Sequence, residues 1–235
     1  MWTKEDVKKF YATVGQRTQF KEFKTPKIDE YHKLEEEEIY RIVKEGSRVL
    51  EAGCGQGRII DLLKDKVAEI VGIEYVEEVA RKTAEKFKDV PNVKIICGDV
   101  CDMPYIEDNS FDYVLCTFNT LGTIPEPDDF DAVEEFKRIV KEGGKIILSV
   151  YSKEALEEQL ALYEKANWQV IRYDDKAVYT AEGLVSRRYN EEELMRYFEG
   201  DDRFDVVIYP LNEVSLFLIA TKRGGADGSD SSRVE

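Results

Sequence analysis

The residues whose types and spacing could do chemistry begin at residues 49–58, which read VLEAGCGQGR. A strand that enters a helix through glycines leaves backbone N–H groups uncovered, and an anionic group can bind there. Glycines also let a ligand approach the backbone closely. The spacing is G-x-G-x-G rather than the G-x-G-x-x-G of dinucleotide-binding turns, which disfavours a nicotinamide-dependent dehydrogenase. The segment therefore predicts a ligand-binding turn.

Two carboxylates follow at the ends of the next two predicted strands. Glu74 ends IVGIE, roughly 20 residues after the glycines, where a carboxylate can accept hydrogen bonds from both ribose hydroxyls of a nucleoside. Asp99 ends NVKIICGD and can accept from the exocyclic amine of adenine, while Val100 can offer its backbone N–H to a ring nitrogen. The alternatives are a surface Glu74 and an Asp99 that only caps a turn. Together the three positions predict a nucleoside-binding edge.

Short apolar strands and amphipathic helices must position these residues, and they alternate from residue 46 to residue 151. Because the strands are apolar on both faces, they indicate a parallel sheet between two layers of helices. Residues 128–144 predict a helix that stops at Gly143 and Gly144. RFDVVIYP and EVSLFLIATK are joined by a loop too short for a crossover helix, so they must be antiparallel. The predicted fold is α/β, a three-layer doubly wound, mostly parallel seven-stranded sheet with an antiparallel last strand.

The predicted domain organisation is one domain, residues 1–222, followed by a disordered tail, 223–235. Its parts are an N-terminal helical lid (1–45), a core (46–150), a small lid insertion for substrate (151–189) and a terminal helix with antiparallel strands (190–222). In the N-terminal part, helices are predicted over 3–14 and 27–45. The acidic run 35–38 is interpreted as a solvated face. Asn190 and Glu193 predict a capping box for the terminal helix.

Composition limits the partners. The net charge is −15, from 34 basic and 49 acidic residues, and no run of Lys or Arg counters it. Phosphate backbones are repelled by such a surface, so nucleic acid is disfavoured as a partner. The chain has 4 cysteines and a single histidine, His32, far from the C-x3-C pair. We therefore expect reduced thiols and no metal site. With no membrane-length apolar run and no secretory signal, the predicted location is cytoplasmic.

At this point the sequence resembles the class I S-adenosylmethionine-dependent methyltransferases. VLEAGCGQGR is similar to the family's glycine motif, GDVCDMPYIEDNSFDYVLCTFNTLG to its adenine and fourth-strand motifs, and VKEGGKIILSVY to its fifth strand. The terminal hairpin is similar to the family's sixth and seventh strands. The resemblance covers about residues 46–150 and 190–221. It implies the fold given above and S-adenosyl-L-methionine as cofactor, with S-adenosyl-L-homocysteine as product.

The resemblance also implies roles for individual residues. The methionine part of the cofactor would lie on Gly53, Gly55, Gly57 and Glu51, the ribose on Glu74, and the adenine between Asp99, Val100 and either Tyr75 or Met103. Phe118 and Asn119 would lie where cofactor and methyl acceptor meet; alternatively, Asn119 is only a helix cap. The candidates near the transferred methyl are Tyr11, Asn119 and Tyr151.

The predicted acceptor is an N or O nucleophile of a small molecule, bound by the N-terminal segment and the insertion. Candidate substrate residues are Arg17, Phe20, Tyr179, Arg187, Arg188 and Tyr189. Aromatic rings could pack on an amine as it gains charge, and an arginine could bind a carboxylate or phosphate. FNTLG follows the fourth strand instead of the N/D-P-P-Y/F of amine-methylating relatives, and Cys116 is expected in the core. The alternatives are an RNA or protein methyltransferase and a non-catalytic cofactor-binding module, as a monomer or homodimer.

Overall fold

The computed structural model describes residues 2–13 and 21–224. The helices are α1 (Lys4–Thr13), α2 (Pro26–Ile42), α3 (Arg58–Leu63), α4 (Glu77–Lys86), α5 (Thr120–Thr123), α6 (Asp128–Ile139), α7 (Leu156–Lys165) and α8 (Glu191–Met195). The strands are β1 (Arg48–Ala52), β2 (Glu69–Glu74), β3 (Val93–Cys97), β4 (Phe111–Cys116), β5 (Val140–Tyr151), β6 (Val170–Tyr173), β7 (Ala177–Thr180), β8 (Val185–Arg187), β9 (Phe204–Pro210) and β10 (Ser215–Lys222).

The central sheet has seven strands in the order β3-β2-β1-β4-β5-β10-β9. β1 pairs in parallel with β2 and with β4, and β4 with β5, whereas β10 is antiparallel to both β5 and β9. The predicted α/β fold, including its antiparallel last strand, is confirmed. The carboxyl ends of β1, β2 and β4 meet where the strand order reverses, and ligands bind at such a point in open α/β sheets.

The core strands are buried because apolar residues on both sheet faces pack under helices. One face of the sheet carries a cluster with Leu50, Val114 and Phe136, and the other carries a cluster with Val49, Ile60 and Phe217. Adjacent residues of β1, Val49 and Leu50, thus belong to opposite clusters. This two-sided burial fixes the register, because a one-residue slip would exchange the faces.

A third apolar cluster joins the N-terminal helices to the insertion. Phe10 of α1 and Ile28 of α2 pack with Tyr163 of α7 and with Trp168. The three-stranded antiparallel sheet β6-β7-β8 contributes Val178 to the same cluster. Tyr151, the last residue of β5, also belongs to it, so the cluster lies at the carboxyl edge of the central sheet.

Two sequence predictions about helices are corrected and one cap is confirmed. Helix α6 ends at Ile139, before Gly143 and Gly144, because the chain from Val140 onward already pairs with β4. The acidic run is not a solvated face throughout, since Glu35 is completely buried while Glu37 is exposed. The Asn190–Glu193 capping box of α8 is present.

Candidate functional site

The glycine turn after β1 requires glycine for steric reasons. Gly53 and Gly57 have φ values of +73° and +77°, a region that other residues rarely adopt. A Cβ on Gly53 would lie 2.5 Å from Cγ2 of Thr120, and one on Gly57 would overlap the Phe87 ring. The glycines therefore let the turn fit between α5 and α4 while its backbone borders a cavity.

Glu74 ends β2 and closes this turn from the opposite side. Its Oε2 accepts from the Gly55 N–H at 3.0 Å, and its Oε1 accepts from the Val76 N–H at 2.8 Å. Burial raises the pKa of the carboxyl, and the hydrogen bonds from these two amides act against that rise. The side chain is only 8% exposed, yet it lines the cavity. It is therefore held rigidly at the position predicted for a ribose contact.

Asp99 lies beyond the end of β3 and contacts the N-terminal helix. Its Oδ2 pairs with Nζ of Lys4 at 2.8 Å, and its Oδ1 accepts from the Cys101 N–H at 2.9 Å. Burial acts to raise the pKa of this carboxyl, but the bonds from Lys4 and Cys101 outweigh it, so the pKa is lowered. Lys4, Val7 and Tyr11 occupy one face of α1 and line the same cavity.

Glu51 of β1 has a buried carboxyl group that is incompletely hydrogen-bonded. It is 3% exposed, and its Oε2 has no hydrogen-bond partner among the described residues. Burial raises its pKa to about 8, and Glu35 and Glu74 add to that effect while Arg58 opposes it. Buried polar atoms are nearly always paired, so this orphaned oxygen in a cavity wall is suited to a cationic ligand group.

The cavity has a volume of about 150 Å³ and lies at the carboxyl ends of the parallel strands. Of the residues predicted from sequence, it is lined by Tyr11, Glu51, Gly53, Gly55, Glu74, Tyr75, Asp99, Val100 and Phe118. Gly57 belongs to the same turn but is not part of the wall. Met103 is fully buried in the core instead of covering the cavity. The structure thus brings most of the predicted cofactor residues together.

The segment after β4 has a constrained backbone. Phe118 and Asn119 have φ values of 46° and 61°. The Phe118 N–H donates both to Glu35 Oε1 and to Ser149 Oγ at 2.8 Å. The Asn119 amide donates to Ser186 and Arg187 and accepts from the Tyr151 N–H at 3.1 Å. Asn119 therefore positions the loop through internal bonds, while the Phe118 ring reaches the cavity.

Aromatic rings surround Phe118. Its ring centroid lies 3.7 Å from that of His32, 5.5 Å from that of Tyr31 and 5.9 Å from that of Tyr151. Tyr151 itself is buried and does not line the cavity. Burial raises the pKa of Tyr11 to about 12, so this phenol keeps its proton at neutral pH. Aromatic rings therefore form this wall of the cavity.

The arginine candidates for substrate binding are engaged inside the protein. Arg187 pairs with Asp129 at 2.7 Å and donates to the carbonyls of Leu121 and Ile124. Arg188 donates to Gln159 Oε1 at 2.8 Å and to the carbonyl of Asp174. The structure thus places both guanidinium groups in buried networks rather than in the cavity wall.

The tyrosine candidates of the insertion are also away from the cavity. Tyr179 packs on the Arg172 guanidinium, 3.6 Å from its ring centroid, and Tyr189 packs in the core. Arg17 and Phe20 lie outside the described residues. The insertion therefore contributes to the cavity through the packing of α1 and α2 rather than through these side chains.

Several cavity residues were not found by sequence reasoning. They include Lys4, His32, Arg58, Thr117, Thr120 and Thr123. His32 and Arg58 are linked to the acidic run on α2, because Arg58 pairs with Glu35 and with Glu36. Two features of the sequence pointed to this link: Arg58 directly follows the glycines, and Glu35 lies on the apolar face of α2. No rule of sequence spacing connects them, so their ion pair could not be predicted.

Comparison with known proteins identifies the class to which this fold and site belong. A family model described as "Methyltransferase domain" matches residues 49–144. Demethylmenaquinone methyltransferase of Staphylococcus aureus (strain MRSA252) is 32% identical over 174 residues, which cover 70% of each chain. The chain belongs to the class I S-adenosylmethionine-dependent methyltransferases.

Solved structures share the fold. The PH0226 protein of Pyrococcus horikoshii OT3 has a TM-score of 0.69 at 20% identity, over 88% of this chain and 98% of that one. An S-adenosylmethionine-dependent methyltransferase of Methanosarcina mazei has a TM-score of 0.60 at 19% identity, over 79% and 96%. The DhpI–SAM–HEP complex has a TM-score of 0.67 at 16% identity, over 92% and 96%.

Within residues 2–13 and 21–224, no helix has the length and apolar character needed to cross a membrane. In the same ranges, no group of three or more His, Cys, Asp or Glu side chains is arranged to hold a metal ion.

Proposed function

We propose that this chain methylates an N or O nucleophile of a small molecule, with S-adenosylmethionine bound along the turn and strand ends described above. In this proposal Glu51 faces the methionine ammonium, Gly53 and Gly55 border the methionine chain, and Glu74 receives the ribose. Asp99 and the Val100 N–H face the adenine, with Tyr75 beside it. The orphaned Oε2 of Glu51 in the cavity wall supports a cationic occupant.

We call Glu51, Gly53, Gly55, Glu74 and Asp99 the cofactor side of the cavity, and Tyr11, His32 and Phe118 the acceptor side. The observation that carries the small-molecule proposal is that Tyr11, His32 and Phe118 line the same cavity as the cofactor side. The acceptor side consists of rings held by α1, α2 and the loop after β4. Aromatic rings at this position suit the face of a planar small molecule.

For methyl transfer, the protein mainly has to align the acceptor atom with the methyl group. When bound, S-adenosylmethionine supplies a methyl group on a positively charged sulfur, which leaves with the electron pair of the broken carbon–sulfur bond. The acceptor's N or O forms the new bond to carbon and loses its proton to solvent. Phe118, fixed through its N–H, and Tyr11 hold the acceptor in line and exclude water.

A second candidate is a quinone-like acceptor. The relative that matches this chain over 70% of both lengths is named demethylmenaquinone methyltransferase. The acceptor side, where His32 and Phe118 rings meet at 3.7 Å, would suit a flat ring system. This candidate shares the cofactor side with the first but differs in the acceptor, including the atom that would receive the methyl group.

The first test is calorimetric titration with S-adenosylmethionine, S-adenosylhomocysteine and NAD in parallel. We expect the first two to bind and NAD not to bind. A methyl-transfer panel then compares small amines, phenols, carboxylates and reduced quinones with bulk RNA and denatured protein. Transfer only to RNA or protein would overturn the small-molecule proposal, and binding of NAD alone would overturn the cofactor assignment.

The ribose assignment has its own test. Glu74→Ala should weaken S-adenosylhomocysteine binding by about 1–3 kcal/mol, the usual cost of leaving buried polar groups without a partner. Glu77→Ala is the matched control, because Glu77 is exposed and only three residues along the chain. Equal affinities for the two variants would remove Glu74 from the ribose site.

A further inference from the structure

The imidazole of His32 has no role in the proposal so far, although it lines the cavity. It is 3% exposed and sits on α2, in edge-to-face contact with Phe118. Its Nδ1 lies 2.8 Å from Nζ of Lys24, and its Nε2 is buried without a partner among the described residues. Buried polar atoms are rarely left unpaired, and an orphan in a cavity wall indicates a ligand contact.

The contact with Lys24 determines which ring nitrogen carries the proton. A lysine ammonium can only donate, so Nδ1 must be the accepting nitrogen and the proton of the neutral ring must be on Nε2. The free polar atom of His32 is therefore a hydrogen-bond donor. Burial, and then Arg58 and Lys24, hold the pKa of His32 well below its usual range, so the ring is neutral at pH 7.

The donor character of Nε2, rather than the surrounding charge, determines which atom can be its partner. Lys24 precedes α2 and Arg58 follows the glycine turn, and both are cationic. Glu35 and Glu36 of α2 pair with Arg58 rather than with the imidazole. These two carboxylates offset the charge of Arg58, so the partner of His32 is determined by the Nε2–H itself, which requires an acceptor atom such as an oxygen.

We propose that His32 is an acceptor-binding residue whose Nε2–H donates to an oxygen of the methyl acceptor. This rests on the proposed function and narrows it to aromatic or otherwise planar molecules that carry a carbonyl, hydroxyl or oxyanion. Because Nε2 donates, His32 orients the acceptor and does not remove its proton.

The chain offers an unusually clean probe, since His32 is its only histidine. Protein labelled with ¹⁵N-histidine gives one pair of ring nitrogen signals, which report the tautomer directly. In the S-adenosylhomocysteine complex at pH 7 we expect the neutral Nε2–H form. Lys24→Met should yield a mixture of tautomers, since Nδ1 loses its donor. An imidazolium, or an Nδ1–H tautomer in the unsubstituted protein, overturns the proposal whether or not an acceptor is known.

Ligand contact is tested with 1-naphthol as the probe. It should shift the Nε2 signal at millimolar concentration, whereas naphthalene, which has no oxygen, should not. No shift with 1-naphthol up to its solubility limit, or equal shifts with both, overturns the oxygen contact. If S-adenosylhomocysteine itself does not bind, the cofactor assignment has failed instead, and calorimetry identifies that case separately.

Two variants separate binding from packing. His32→Asn keeps an amide near the Nδ1 position but loses the Nε2 donor, and His32→Gln places an N–H close to the Nε2 position. With the acceptor found by the methyl-transfer panel, we expect its KM to rise at least 10-fold in His32→Asn and to recover to within about 3-fold in His32→Gln. Cofactor affinity should stay within 2-fold in both. Equal KM values for the two variants, or a KM unchanged in His32→Asn, overturn the proposal.

Discussion

The cofactor side and the acceptor side of the cavity consist of different chemical groups. On the cofactor side, backbone amides and the carboxylates Glu51, Glu74 and Asp99 stand at the ends of strands or just beyond them. On the acceptor side, rings from α1, α2 and the loop after β4 meet, and their positions depend on apolar packing with the insertion. The cofactor side can therefore bind charged and hydroxyl groups at fixed positions, whereas the acceptor side selects a ligand by its shape.

The largest expected effect concerns Glu35, which connects the two sides. Glu35→Ala leaves Arg58 without its buried partner and should lower the free energy of unfolding by about 3 kcal/mol. We take the lower end of the usual range because Glu36 still pairs with Arg58 at 2.8 Å. Glu37→Ala, an exposed neighbour on the same helix, should change it by less than about 0.5 kcal/mol. Urea unfolding measures both, and similar values would mean that α2 is not anchored through Glu35.

The next effect concerns Glu51 and pH. Because burial raises its pKa to about 8, the folded protein holds a proton that the unfolded chain releases near its ordinary value. Stability from this group is therefore present at low pH and falls as pH rises towards about 8. Between about pH 6 and 7.5 the loss should be about 2 kcal/mol, and Glu51→Gln should lack it.

Cofactor binding should also depend on the protonation state of Glu51. A cationic ligand group favours the ionised carboxylate, so binding at pH 7 should release close to one proton in the unsubstituted protein. Calorimetry in buffers of different ionisation enthalpy counts that proton. Equal proton release by Glu51→Gln would show that another group faces the ligand.

The smallest effect concerns Lys4, through which α1 touches the cofactor side. Lys4 pairs with Asp99 at 2.8 Å, so adenine would compete for that carboxylate. Lys4→Met should tighten S-adenosylhomocysteine binding about 2-fold, since partly exposed ion pairs contribute at most about 1 kcal/mol. Added salt should tighten binding to the unsubstituted protein but not to the variant. Lys9→Met is the exposed control, and a salt response in Lys4→Met would contradict the competition.

The same contrast explains what could be predicted from sequence. Strand ends are marked by apolar runs, and parallel pairing brings such ends to one edge, so Glu51, Glu74 and Asp99 could be placed in one site. The doubly wound parallel core followed from the alternation of strands and helices, and the antiparallel pairing of β9 with β10 followed from the short loop between them. These features depend on neighbours along the chain or on general rules of sheet topology.

The acceptor side could not be predicted in this way. His32 and Glu35 face inward because α2 packs across the ends of β4 and β5. Helical spacing places Glu35 on the apolar face with Tyr31 and Ile39, but a run of four glutamates gives no sign that one of them has a distant arginine as its partner. Arg187 and Arg188 looked available because the chain carries no sign that Asp129 and Gln159 would engage them. Ion pairs between distant segments depend on tertiary packing. The sequence of the acidic run alone does not show which of its glutamates form such pairs.

The bridge from Arg58 to α2 has a consequence for how the two ligands affect each other's binding. Arg58 directly follows Gly57, and its guanidinium bonds to Glu35 and Glu36, one helical turn beyond His32. Whatever steadies the glycine turn thereby steadies the helix that carries the imidazole. Two ligands that share such an element raise each other's affinity by the same factor. We therefore expect the methyl donor and the acceptor to bind synergistically, so that the apparent affinity for each rises with the concentration of the other.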